Sequence, residues 1–144
     1  MSTSPLFSAT ARQQSLGLAI LRIVTGVVFT AHGYQKLFGF GISGVQGMFT
    51  KMGAPLPMMT APLVTCLEFF GGLALIVGLL TRLVAVGLAI DMLGAIVLVH
   101  LANGFFLPTG YEFALLMCVA SLTLAVGGAG SPSVDDMISR RPVN

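Results

Sequence analysis

Four apolar stretches of membrane-spanning length follow one another along the chain, at about residues 16–38, 60–80, 82–101 and 111–130. Each is close to the ~20 residues that an α-helix needs to cross ~30 Å of hydrocarbon. Inside lipid a backbone must satisfy its own hydrogen bonds, so runs of this kind become helices. Too little polar sequence remains for a water-facing domain, since 8% of the residues are charged against about 25% in soluble domains. The expected fold is all-α, an integral-membrane four-helix bundle. The segment GLLTRL at 78–83 leaves almost nothing between the second and third runs. Such a short link makes those helices antiparallel neighbours and favours an up-down-up-down topology.

Residues 1–15 and 131–144 read as polar tails on a transmembrane domain at 16–130, with Ser15 placed to cap the first helix. The first apolar run follows Arg12, as in a secretory leader, but it is too long and no small-residue cleavage site follows it. An uncleaved span is expected. Arg12, Arg82, Arg140 and Arg141 fall at one side of the membrane and Lys36 and Lys51 at the other. The positive-inside rule then places both termini on the cytoplasmic side. Glycines and prolines at 39–57 exclude a further span there. Within that segment Val45, Met48, Phe49 and Met52 keep the spacing of one apolar helical face. It reads either as a short helix on the outer surface or as a loop covering the bundle mouth.

The spans are not purely apolar. A charge facing lipid costs several kcal/mol, so intramembrane ionisable groups turn inward and pair. On the first helix Arg22, Gly26, Phe29, Gly33 and Lys36 share one stripe, with His32 beside it. At ~1.5 Å per residue the ionisable groups sort into two layers. Arg22 and Asp91 enter from the cytoplasmic side, and an extended arginine can span the difference in depth, so they are expected as a structural ion pair. His32, Lys36, Glu68, His100 and Glu112 lie toward the outer side. Glu68 is too deep to reach water easily and needs a cation or a proton of its own. With Lys36, His32 and the small residues Gly71 and Gly72 it forms the candidate ligand site. Each member has a plainer reading: Lys36 snorkelling to headgroups, the glycines serving helix packing, His100 bonded to a carbonyl. Glu112, opening the fourth helix, suits a capping role.

Other chemistries lack their residues. Cys66 and Cys118 form no CxxC, and their pairing stays open. Two histidines and two cysteines so dispersed give no metal site. The seven basic residues are scattered singly and offer no nucleic-acid surface.

The order of LRIVTGVVFTAHGYQKLFGF, MGAPLPMMTAPLVTCLEFFGGLALIVGLLTR and GYEFALLMCVASLTLAVGGAGSPSVDD resembles the DoxX family of small four-span bacterial membrane proteins. The likeness runs from about Leu16 to Asp136. It rests on Arg22 with Gly33 and Lys36, on Glu68-x-x-Gly71-Gly72, on Gly78-x-x-Thr81-Arg82, and on Gly128, Gly130, Ser133 and Asp135. Ala129, Ser131 and Pro132 stand where relatives often carry a basic or aromatic residue. The resemblance implies a membrane subunit linked to redox chemistry, associated with thiosulfate:quinone oxidoreduction or with thiol-handling enzymes in oxidative-stress defence. The expectation is therefore an accessory or quinone-contacting subunit of a membrane oxidoreductase. A quinone is the expected ligand, and the lipid bilayer and redox-enzyme subunits are the expected partners; self-association into a homo-oligomer is left open. A non-enzymatic scaffold or anchor, or a carrier of a small lipophilic solute, is the alternative.

Overall fold

Thr10, not Ser15, starts the first helix. Its hydroxyl accepts from the Gln13 amide at 3.2 Å while the Gln13 side chain accepts from the Thr10 amide at 2.7 Å, a reciprocal cap that satisfies two otherwise orphaned donors. The computed structural model describes residues 9–139; residues 1–8 and 140–144, with Arg140 and Arg141, lie outside the described residues. Helix α1 (Ala11–Tyr34) runs on through a π-helical stretch, Gln35–Phe40. The chain then turns at Gly41, whose φ of 70° is cheap only for glycine, into α2 (Gly41–Lys51). This is the short helix expected in the first long connection. Val45 is buried and Lys51 exposed.

Helix α3 (Pro57–Val77) opens on proline, which loses nothing at a position whose amide has no intrahelical acceptor. It closes at Gly78, with φ 75°, the left-handed cap glycine favours. Helix α4 (Thr81–Ala95) follows after three residues and continues as a π-helical stretch, Ile96–His100, and a 3₁₀ turn, Leu101–Asn103. The α1 run, α3 and the α4 run are long and apolar enough to cross a membrane, and α5 (Glu112–Gly127) is a shorter apolar helix. A last short helix, α6 (Val134–Ser139), ends the described chain.

The four long elements pack as a ring. α1 lies most extensively on α3 and α4 on α5, with α3–α4 and α1–α5 closing the circle. Small residues set the first contact. A Cβ on Gly26 would stand 2.7 Å from the Gly72 carbonyl oxygen, and one on Gly72 would stand 2.5 Å from the Thr30 amide. One on Gly33 would run into the Phe69 backbone. Backbones this close gain dispersion contact that lipid does not offer, which is how helices associate where the hydrophobic effect is absent. Outward, Ile20, Val24, Leu63, Leu83, Ile90 and Leu116 are exposed, an apolar belt that suits lipid and not water. The bundle has two ends: the proximal end, where α1 and α4 begin, and the distal end, where α2 lies.

Candidate functional site

The ionisable groups separate into two clusters, one at each end. Arg22 belongs wholly to the proximal one. Its side chain is 1% exposed, yet among the described residues no carboxylate forms an ion pair with the guanidinium. Nη1 donates to the carbonyls of Leu75 at 2.6 Å and Ile76 at 2.8 Å, Nε to Ala129 at 2.8 Å, and Nη2 to Pro132 at 2.7 Å. The α3 carbonyls are among the last four of that helix, which lack intrahelical donors and carry its negative partial charge. A buried cation is thus held by a helix C-terminus and by the folded-back segment after α5.

That segment explains the closing glycine-serine-aspartate pattern. Gly78 lies so close to Arg22 and Ser133 that a Cβ would stand 2.6 Å from Nη1. Asp135 accepts from the amides of Leu80 at 2.8 Å and Thr81 at 2.9 Å, capping α4 with a carboxylate supplied by the far end of the chain. Asp135 also lies in the field of Arg22. An open hollow of about 560 Å³ at this end is lined by Arg82, Gly128, Asp135 and their neighbours. Of its charged groups, Asp135 is engaged in this structural network.

The expected Arg22–Asp91 ion pair does not form. Asp91 is aligned with the distal cluster, where it interacts with Glu68 and Lys36. The reason is depth: Arg22 sits level with the end of α3, whereas Asp91 is ten residues into α4 from Thr81, about 15 Å away along the helix at 1.5 Å per residue.

The cation that Glu68 needs is Lys36. Lys36 Nζ donates to Glu68 Oε1 at 2.6 Å and to Oε2 at 2.5 Å, and Glu68 is 2% exposed. Lys36 therefore does not snorkel away from the bundle; it reaches inward from the π-helical stretch that ends α1. Asp91 joins from α4, with its buried Oδ2 lacking a hydrogen-bond partner among the described residues.

These three side chains line a cavity of about 520 Å³ at the distal end, within the 300–1,000 Å³ of ordinary small-molecule sites. Its other walls are mostly apolar: Val28 and Phe29 from α1, Phe49 and Met52 from α2 and just beyond it, Ile90 and Met92 from α4, Phe113 and Met117 from α5. The apolar face of α2 forms one wall. His32 lines the cavity with Nδ1 3.0 Å from the Val28 carbonyl and its ring stacked on Phe113 at 6.0 Å between centroids. His100, on the π-helical stretch ending the α4 run, also lines it, with Nδ1 2.8 Å from the Thr109 carbonyl. Both π-helical stretches thus present a polar residue to the same chamber, in keeping with the frequent use of such irregularities at functional sites.

Gly71 and Gly72 do not line the cavity. Gly72 faces α1, and a Cβ on Gly71 would meet Val84 of α4 at 3.1 Å, so both serve helix packing. Glu112 accepts from the Leu107 amide at 2.7 Å and fixes the loop before α5. Cys66 is exposed, Cys118 is buried, and both are free thiols.

The comparisons with known proteins agree with this architecture. The DoxX family model matches residues 17–101. A Bacillus subtilis protein named "Putative oxidoreductase CatD" is 32% identical over 129 residues, covering 90% of this chain and 92% of its own. The Escherichia coli inner membrane protein YqjF is 32% identical over 143 residues, covering 89% and 96%. A membrane protein of Mycobacterium tuberculosis is 34% identical over 132 residues, covering 84% and 80%. No solved structure matches the chain significantly.

Proposed function

The chain belongs to the DoxX family, and from that premise we propose that it is a quinone-contacting accessory subunit of a membrane oxidoreductase in the bacterial inner membrane. One observation carries the reading: an apolar, drug-sized chamber whose polar floor is the Lys36–Glu68–Asp91 cluster. A flat lipophilic head group fills such a space, and a few convergent polar groups orient it. Interconversion of a quinone and its hydroquinone moves two electrons and two protons. The electrons belong to a redox-enzyme partner at the membrane surface, and the proton traffic belongs to Glu68 and Asp91. The name of the Bacillus relative favours this over a scaffold without ligand.

The test is Glu68→Gln. The amide keeps the shape and still accepts from Lys36, and Asp91 remains as the counter-charge, so the fold should persist. Quinone copurifying with the detergent-extracted protein should fall severalfold, with the melting temperature little changed. Unchanged quinone content together with a large loss of stability would leave Glu68 a structural counter-ion only.

Both ends of the described chain lie at the proximal end, which this reading places in the cytoplasm. In a background lacking Cys66 and Cys118, cysteines at Ala9 and Ser139 should resist an impermeant maleimide until the inner membrane is opened. A cysteine at Lys51 should react in spheroplasts. The reverse pattern would invert the orientation.

A further inference from the structure

The chamber's unused hydrogen-bonding capacity is almost all of one kind. A backbone carbonyl only accepts, so the Nδ1 atoms that face Val28 and Thr109 carry the hydrogens of His32 and His100. In the neutral rings Nε2 is then a bare acceptor. The Asp91 carboxylate is a third acceptor: its immediate polar neighbour Glu68, when ionised, offers no hydrogen, and no donor among the described residues reaches its Oδ2. Lys36 is the cluster's donor, and two of its three hydrogens go to Glu68.

We infer that the chamber selects a lipophilic ring bearing a hydroxyl that donates to Asp91, a phenol or hydroquinone, over the oxidised quinone. The inference rests on the quinone-contacting reading and specifies which redox form the site holds. A quinone presents only acceptor oxygens and would find one spare ammonium hydrogen. A hydroquinone presents two donors to a wall of acceptors and satisfies Asp91 Oδ2, a buried oxygen that has no hydrogen-bond partner among the described residues. An unpaired buried acceptor is costly, which is why sites built around a hydroxyl reject analogues that lack it far more strongly than apolar pockets reject a missing methylene. A lipophilic ammonium ion would also donate, but it would share the chamber with the charge of Lys36.

The experiment uses the full chain in nanodiscs and measures binding by calorimetry under nitrogen. The probes are a short-chain alkyl benzoquinone, its hydroquinone, the dimethyl ether of that hydroquinone, and the corresponding benzylammonium. The hydroquinone should bind at least about tenfold more tightly than the other three. In Asp91→Leu, which removes the acceptor, and in Asp91→Asn, which keeps the shape, that preference should shrink toward unity. Circular dichroism should show both variants folded. Quinone binding as tight as hydroquinone binding, or a preference that survives both Asp91 substitutions, overturns this inference and leaves the quinone-contacting reading standing. Tightest binding of the ammonium probe also overturns it. If none of the four probes binds, both readings fall together.

Discussion

Arg22→Leu should be the most damaging single substitution in the chain. It removes a buried cation and takes the guanidinium from four carbonyls, those of Leu75, Ile76, Ala129 and Pro132, of which Leu75 keeps the Gly78 amide. A hydrogen bond to a charged group contributes roughly 1.5–3 kcal/mol, and an orphaned buried acceptor costs about 1–3 kcal/mol. These terms overlap, so a net loss of about 3–5 kcal/mol is expected, a large part of the ~5–15 kcal/mol that holds a typical domain together. Unfolding of the detergent-solubilised protein by denaturant measures it. Arg22→Lys should recover only part of the loss, because an ammonium lacks the planar fork that serves several acceptors at once. Local consequences should follow as well: without its anchor the segment 128–139 detaches, and a cysteine at Ser139 should react faster with maleimide. In double-mutant cycles Arg22→Leu and Asp135→Ala should be non-additive, while Arg22→Leu and Asp91→Ala should add within ~0.5 kcal/mol, as independent sites do. A cost below about 1 kcal/mol for Arg22→Leu would show that the network is not what holds the proximal end together.

Hydropathy and turn chemistry were enough to foresee the spans and the hairpin at 78–80, because each depends on neighbours in sequence; for 39–57 they left a short helix and a loop as equal readings, and the structure decides for the helix. Depth placed Glu68 and Lys36 in one layer but left open whether the carboxyl takes a cation or keeps a proton; the tertiary contact decides for Lys36. The misassignment of Asp91 came from referring its depth to the edges of apolar runs, which are soft. The hairpin offers a firmer ruler. With the turn centred between Leu79 and Leu80, Glu68 lies eleven to twelve residues before it and Asp91 eleven to twelve after. Two antiparallel helices of equal rise bring such positions to the same level. That arithmetic places Asp91 beside Glu68 and leaves Arg22 to other partners.

The true partners of Arg22 were beyond such reasoning. Carbonyl acceptors carry no residue signature, and two of the four lie more than a hundred positions away. The closing Gly-x-Gly-x-x-Ser-x-Asp pattern was visible, but its purpose depends on the chain returning to the proximal end. Glycine has a similar ambiguity. A small residue beside a carboxyl can make room for a ligand or for a helix, and only the tertiary contact decides; Gly71 and Gly72 both receive helices. The cavity itself arises from what α2 covers, which no local pattern encodes.

Lys36→Met should have the second-largest effect, and its pattern of rescue separates a binding site from a scaffold. Methionine keeps the length of the side chain and removes the charge, leaving Glu68, 2% exposed, against Asp91 with no cation between them. Removing one partner of a buried pair costs about 3–5 kcal/mol, because the other charge stays buried and uncompensated. Replacing both partners costs far less, so Lys36→Met with Glu68→Gln should be more stable than the sum of the two singles. Adding Asp91→Asn removes the last charge from the chamber, and this triple variant should approach wild-type stability. Asp91→Asn alone should be well tolerated, since Asp91 Oδ2 has no hydrogen-bond partner among the described residues. Denaturant unfolding of the single, double and triple variants measures the coupling; additive costs for Lys36 and Glu68 would contradict the pairing. The triple variant also separates the two roles. If the cluster only holds helices together, restoring stability restores everything. If the chamber binds a quinone-type head group, the neutral variant folds and still copurifies with severalfold less quinone.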